Sequence, residues 1–393
     1  MLIYDINLEY FLFEKKERID LIANPYSLDL SIKRLNKGSL KRSRFPTFND
    51  QTYLMKTLFF FLSILISINS IGQTQDSFIH DGEERNFIYY IPNSWNATSE
   101  YPLLIVLHGL TQTGNGIMNI TGFNEIAEDN NFVVCYPDGL NNSWNADMNS
   151  LNSDVDDIGF VEQLFNYFES NYNTNPLKRY LTGFSNGGYL SHKIASESEL
   201  CVAAIGTVSG NMSTTTYENF GPLHPTSVLH IHGTSDGIVP YDGGASTGAS
   251  VDEVMSLWQA HLSCDTEPVM QSMPNPNNFD FSYPERYIYQ NCVGAALELI
   301  KVVGGGHQWP GIQTLVGGLG TINMDFYSPQ TIWDFLNGKS CPQTADISEI
   351  PTIDKKLIKM MDYLGREINE DYSGPILYLH SDGSIERKYS IPK

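Results

Sequence analysis

Gly183-Phe184-Ser185-Asn186-Gly187-Gly188 lies between a short β-prone run, residues 179–182, and a stretch of helical periodicity, residues 186–198. A glycine two positions either side of Ser185 gives the pattern G-x-S-x-G. It permits the tight strand-to-helix turn that lifts a serine hydroxyl above a sheet, and the helix N-terminus adds positive potential beneath it. The pattern is short, and a chain with 32 glycines can produce it by chance. Its weight therefore comes from the elements around it.

Working outward, residues 103–107 and 132–136 are continuous apolar runs, as expected of parallel strands buried on both faces. Residues 78–80 and 85–91 flank Asp81-Gly82, a hairpin signal. Phe160, Val161, Leu164, Phe165 and Phe168 recur at three- and four-residue spacing and predict an amphipathic helix over 157–171. Residues 202–209, 228–233 and 297–303 continue the strands, with helices near 186–198 and 251–262. Ser328-Pro329 opens a last helix that runs to Leu336, with serine as cap and proline at the first position. Strands alternating with helices from about 77 to 336 predict an α/β fold with a mostly parallel central sheet and helices on both faces.

The later strands carry what a serine nucleophile needs. Residues 228–233 end in Gly233-Thr234-Ser235-Asp236-Gly237, a turn with a carboxylate, and 297–303 end in Gly304-Gly305-Gly306-His307-Gln308-Trp309-Pro310. The order Ser185, Asp236, His307 matches the serine, acid, histidine order of sheet hydrolases. Asp236 alone would read as an ordinary turn aspartate. His307, behind three glycines that supply no packing, is expected on a flexible, exposed turn. An oxyanion needs two fixed N–H donors. The residue after the nucleophile supplies Asn186, and the turn His108-Gly109-Leu110-Thr111 after the first apolar run supplies Leu110. His230 and His232 alternate along a strand, but no further His, Cys or carboxylate set has zinc spacing, so no metal is predicted. This chemistry requires no cofactor.

Composition limits the partners. Of 393 residues, 41% are hydrophobic, and 45 acidic residues against 24 Lys and Arg give a net charge of −21. Such a surface opposes binding to nucleic acid and to anionic membranes. Residues 55–72 begin Met55-Lys56-Thr57, continue with about 11 apolar residues and end in Asn69-Ser70-Ile71-Gly72, the pattern of a secretory signal peptide. The apolar core is shorter than the roughly 20 residues a membrane span needs. No cysteine precedes Cys135, so a lipid-modified start is not expected. Residues 1–54 lie upstream of this signal and read as an extension from a mis-assigned start. Without residues 1–72, which carry ten basic and seven acidic residues, the charge falls from −21 to −24. That favours a soluble exported protein with no membrane contact.

Residues 77–338 resemble the secreted esterases that group polyhydroxybutyrate depolymerase-like enzymes with feruloyl and acetylxylan esterases. The resemblance rests on Leu107-His108-Gly109, Tyr136-Pro137-Asp138-Gly139, Val155-Asp156-Asp157-Ile158-Gly159-Phe160, the Ser185 turn, His232-Gly233-Thr234-Ser235-Asp236, Val239-Pro240-Tyr241 and residues 304–311. It implies an α/β-hydrolase fold with Ser185, Asp236 and His307 as triad. It also places Trp144 and Trp309 near the site as substrate-binding aromatics. Residues 352–393 resemble the C-terminal sorting segments of the Bacteroidetes type IX secretion system, through Lys355-Lys356-Leu357-Ile358-Lys359, Asp362-Tyr363-Leu364-Gly365-Arg366-Glu367 and the Ser381-Asp382-Gly383 turn. This implies a small β-rich tail that meets the secretion machinery, joined by a polar linker at 343–351 to a catalytic domain at 73–342.

Five cysteines suit an exported protein only in part. Cys264 follows a helix and Cys292 precedes the strand leading to His307, so this pair can staple the segment bearing the base. Cys135 reads as a buried thiol, and Cys201 and Cys341 stay unassigned. The expected function is hydrolysis of feruloyl or acetyl esters on polysaccharide. The alternatives are a polyhydroxyalkanoate esterase, a peptidase, and a non-catalytic surface binding protein on the same scaffold.

Overall fold

Alternation within the two apolar runs builds the centre of the molecule. In the computed structural model, which describes residues 21–24, 27–32, 73–148, 152–313, 319–342, 357–361, 366–369, 374–380 and 385–390, Leu103, Ile105 and Leu107 face one apolar layer and Leu104 and Val106 the other. The segment 55–72 and the linker 343–351 lie outside the described residues. No described helix is long and apolar enough to cross a membrane.

The chain divides into two units, Met1–Asn69 and Ser70–Lys393. The first contains an antiparallel hairpin of β1 (Leu21–Asn24) and β2 (Ser27–Ile32). The second opens with β3 (Gln73–His80) and β4 (Glu83–Tyr90), joined at Asp81-Gly82, where both residues have positive φ, at 50° and 83°. That pair of angles matches the right-handed twist of a two-residue hairpin. There follow β5 (Tyr101–Leu107), α1 (Gly114–Thr121), α2 (Phe123–Asn130), β6 (Val133–Pro137), α3 (Asp157–Tyr172), β7 (Thr174–Phe184), α4 (Asn186–Glu197), β8 (Ala204–Val208), α5 (Thr214–Glu218), β9 (Ser227–Gly233) and α6 (Val251–His261). The antiparallel pair β10 (Val269–Ser272) and β11 (Tyr283–Tyr289) precedes β12 (Leu297–Val303) and α7 (Ser328–Leu336). A three-stranded antiparallel sheet, β13 (Leu357–Met361), β14 (Gly374–His380) and β15 (Ile385–Ser390), ends the unit.

The ten strands β3 to β12 form one sheet in the order β10-β11-β12-β9-β8-β7-β5-β6-β4-β3. From β12 to β6 the neighbours are parallel, and β4 runs against β6. A parallel core with one reversed strand next to each edge, β4 and β11, β5 and β6 exchanged in order, and helices on both faces make this an α/β-hydrolase fold. Helices α3, α4 and α6 cover one face through Phe160, Leu164, Leu190, Ile194, Val254 and Trp258. Helices α1, α2 and α7 cover the other through Ile117, Phe123, Ile126, Ile332 and Trp333. The winding moves outward from β5 to β6 and then returns past β5 to β7, so direction reverses between β5 and β7. Crevices outside the carboxyl ends of strands at such a reversal are where open α/β sheets bind ligands.

Two disulfides stitch the unit. Cys264–Cys292 joins the end of α6 to the approach to β12, and Cys201–Cys341, 140 residues apart in sequence, joins the approach to β8 to the segment after α7. Cys135 is a buried free thiol in β6.

Candidate active site

Ser185 joins β7 to α4 with φ 51° and ψ −118°, a conformation that costs a residue with a Cβ and is characteristic of strained functional turns. Close backbone approach permits it. A Cβ on Gly183 would lie 2.2 Å from Gly187 O, and one on Gly187 would lie 2.3 Å from Leu107 O. The turn thus folds onto itself and onto the end of β5, and only glycine fits either position. Ser185 N–H donates to Val208 O at 2.9 Å, which pins the turn to β8. The hydroxyl does not cap α4, so it is left for other chemistry.

The acid turn follows β9. Asp236 is 5% exposed, and its Oδ1 accepts from the N–H groups of Ile238 at 2.9 Å and Val239 at 2.8 Å. Its Oδ2 lies 2.8 Å from His307 Nδ1. Burial pushes the Asp236 carboxyl up, but the hydrogen bond and charge of His307, the nearby His232 and the Val239 N–H together outweigh it and hold the group below its ordinary value. Because the carboxylate only accepts, Nδ1 of His307 is the protonated nitrogen. Nε2 is then the one available for proton exchange.

The expectation of an exposed, flexible His307 is corrected by its 3% exposure. Glycines without Cβ atoms do not leave this turn loose; they let backbones close on one another. A Cβ on Gly233 would lie 2.3 Å from Gly305 O, and one on Gly306 would lie 2.5 Å from Leu319 O. Ser235 N–H donates to Gly305 O at 2.9 Å and His307 N–H to Leu319 O at 2.6 Å. The imidazole rests on Phe184 with ring centroids 4.8 Å apart, which brings it beside the neighbour of Ser185.

The two N–H groups read from the sequence lie in adjoining turns. Asn186 is the first residue of α4, and Leu110 sits in the turn after β5, against which Gly187 packs. Gly109 N–H is taken by Gln112 Oε1 at 2.9 Å and Thr111 N–H by Asn142 O at 2.8 Å. Among the described residues, the N–H groups of Leu110 and Asn186 have no partner. Trp144 and Trp309 are each 2% exposed and stand behind the site, not on its rim. Trp144 Nε1 donates to His108 O at 2.9 Å, its N–H to Asn186 Oδ1 at 2.7 Å, and Asn186 Nδ2 to Trp144 O at 3.2 Å. Trp309 stacks on Phe184, the centroids 6.0 Å apart.

Two further constellations escaped the sequence reading. Arg85 and Asp157, each 1% exposed, form a buried ion pair at 2.6 Å, and Asp157 Oδ2 accepts Asn145 N–H at 2.6 Å. This ties the Trp144 loop to α3 and β4. The alternation of Arg85 with inward-facing Phe87 and Tyr89 is the signal that could have found it. The second is a row of histidines, His192, His230 and His232, behind Asp236. Among the described residues no group of three or more His, Cys, Asp or Glu could hold a metal ion.

Fold and site together define an α/β-hydrolase. Residues 80–313 match the model of the Esterase family, described as "Putative esterase", and the chain belongs to that family. It is 26% identical over 231 residues to the bifunctional acetylxylan esterase/xylanase XynS20E of Neocallimastix patriciarum, covering 58% of this chain and 31% of that protein. It is 27% identical over 172 residues to "Probable feruloyl esterase C" of Aspergillus niger, covering 42% of this chain and 60% of that one. The chain thus spans about a third to three fifths of the length of these relatives. An acetyl xylan esterase structure from Aspergillus awamori is similar at 17% identity and a TM-score of 0.44, covering 60% of this chain and 94% of that one.

Proposed function

We propose that this chain is a carboxylic ester hydrolase that works through Ser185, His307 and Asp236 on feruloyl or acetyl esters carried by polysaccharide. The buried Asp236–His307 pair, set beside the strained serine turn at the carboxyl ends of β7, β9 and β12, carries the reading. The names of the two relatives support the substrate class.

Ser185 Oγ attacks the ester carbonyl carbon while His307 Nε2 takes its proton, and Asp236 stabilises the imidazolium that forms. The tetrahedral oxyanion is held by the N–H groups of Asn186 and Leu110, each such donor contributing about 2.7–4 kcal/mol. His307 then gives its proton to the leaving alkoxide oxygen, the alcohol departs, and an acyl-serine remains. Water attacks that acyl group with the same imidazole as base, and collapse returns the carboxylic acid and Ser185. Trp144 and Trp309 act from behind, fixing the Asn186 and Phe184 sides of the site.

Purified full chain, with Ser185→Ala as control, is assayed on methyl ferulate, acetylated xylan and 3-hydroxybutyrate oligomers. Preference for either of the first two supports the polysaccharide reading. Preference for the oligomers moves the substrate to polyesters, and a folded protein inert on all three overturns the esterase reading. The segment 55–72 directs export in this account, and 352–393 is an address for the secretion machinery. Protein recovered from culture medium is expected to begin at Gln73 and to lack the tail, whereas full-length protein kept inside the cell contradicts this.

A further inference from the structure

Behind the acid turn lies a chain of groups that the reaction above does not use. Trp258 Nε1 on α6 is 3.2 Å from His192 Nδ1 on α4, and His192 Nε2 is 3.2 Å from His230 Nδ1 on β9. His230 Nε2 is 3.1 Å from His232 Nδ1, and His232 Nε2 is 2.8 Å from Val239 O. Thr207 on β8 joins at the middle, 3.0 Å from His230 Nδ1. All three imidazoles are at most 1% exposed.

The two ends settle every proton in between. An indole N–H can only donate, so His192 Nδ1 accepts, and a neutral His192 carries its proton on Nε2. That N–H donates to His230 Nδ1, which puts the His230 proton on Nε2; the same step repeats at His232. The last N–H meets a carbonyl, which can only accept. The result is one unbroken direction from Trp258 to Val239, with each ring neutral and protonated at Nε2. A second proton on any ring would set N–H against a donor or break the row. Burial agrees with this: it lowers the pKa of all three rings, that of His192 to about 3.

The row ends on the turn that holds the acid. Val239 O receives His232, while Val239 N–H holds Asp236 Oδ1, and His232 Nε2 itself stands 3.5 Å from Asp236 Oδ2. Resting on the triad reading above, we propose that His192, His230 and His232 form a directional hydrogen-bond row that fixes the Asp236 carboxylate toward His307, with His232 as its positioning residue. The row anchors one small turn to two strands and two helices. It also aims a neutral N–H dipole at the carboxylate without adding a charge that would compete with the imidazolium of His307.

His232→Phe removes the donor and keeps the bulk, whereas His232→Gln restores a side-chain N–H near the position of Nε2. The two variants and the wild-type full chain are compared on methyl ferulate, or on whichever ester the wild type turns over, across pH 4.5–8.5. His232→Phe is expected to lower kcat at least about tenfold with KM little changed. The acid limb of its kcat/KM profile should move to lower pH, because a loosely held Asp236 stabilises the His307 imidazolium less. His232→Gln is expected to recover most of both. Wild-type kcat and acid limb in folded His232→Phe overturn the proposal, and so does a loss with an unmoved limb that glutamine does not repair.

Should His232→Phe fail to fold, ring-nitrogen NMR of 15N-histidine-labelled wild-type protein at pH 7 tests the same direction. Three neutral Nε2–H imidazoles are expected, and an Nδ1–H or charged ring in the row overturns it. Ser185→Ala in the same assay separates the two failures. If it keeps turnover, the triad reading falls; if it is inactive while His232→Phe is unaffected, only the role of the row falls.

Discussion

Two buried carboxylates, Asp157 and Asp236, are held in different ways. Asp157 faces a full opposite charge, with Arg85 Nη2 2.6 Å from its Oδ1, and gives Oδ2 to the Asn145 N–H. Asp236 has no cation of fixed charge; two backbone N–H groups take Oδ1, and His307 takes Oδ2. Burial outweighs Arg85 and holds the Asp157 carboxyl above its ordinary value, whereas the donors around Asp236 outweigh burial and hold it below. In the proposed reaction the difference separates an anchor from a working group. Asp157 has both oxygens committed to the scaffold, and its pair fastens the Trp144 loop. Asp236 keeps its charge unneutralised until His307 gains a proton, so it can respond to that event.

Replacing each carboxylate by its amide should break this contrast most sharply. Asp236→Asn preserves the shape but takes away the acceptor that selects the His307 tautomer. Turnover should fall about 10⁴-fold, as in other serine triads, with a melting temperature near wild type. Asp157→Asn should do the reverse. It strands the Arg85 guanidinium in the interior at a cost of about 3–5 kcal/mol, read in a denaturant titration, while the folded fraction turns over within about tenfold of wild type. Equal effects of the two changes on kcat would erase the distinction.

Acid tests the neutral character of the Asp236 side. His108, His192, His230 and His232 all have pKa values lowered from 6.5, with burial the largest cause in each. The unfolded chain then binds protons that the folded chain refuses. The stability these groups contribute is present above pH 6.5 and is lost as pH falls below it. Between pH 7.5 and 5 each ring that stays neutral forfeits about 2 kcal/mol, or about 4 kcal/mol for His192 and His230 together. Unfolding free energies that stay level across this window would contradict the neutral row. The smallest effect is expected on the oxyanion side. Asn186→Ala keeps the N–H but deserts the Trp144 main chain, costing about 1–3 kcal/mol of stability and a few-fold in KM.

The sequence exposes most readily what lies at strand ends. Ser185, Asp236 and His307 each close a run of apolar residues, and a turn rich in glycine marks the place. The parallel strands are legible for the same reason, since burial on both faces leaves an uninterrupted apolar signature, as at Val133–Pro137. The edge pair β10 and β11 is not. All four residues of β10 are exposed, and β11 carries Pro284 and mixed faces. The burial of His307 is hidden as well, because glycine patterns report freedom in an isolated chain and say nothing of the backbone that will close on it. The histidine row depends on pairings that no local pattern records. Thr207 meets His230 across β8 and β9, and His192 arrives from a helix 38 residues earlier than His230. Cys201 and Cys341 are likewise joined only by the return of the chain after α7.

Active-site labelling tests the central claim most directly. The full chain is treated with a fluorophosphonate ester, which phosphonylates an activated serine, and then digested and mapped by mass spectrometry while ester hydrolysis is followed in parallel. One phosphonyl group on Ser185, gained in step with loss of activity and absent from Ser185→Ala, is the predicted result. Full activity after labelling, or a stoichiometric label on another residue, would contradict the account.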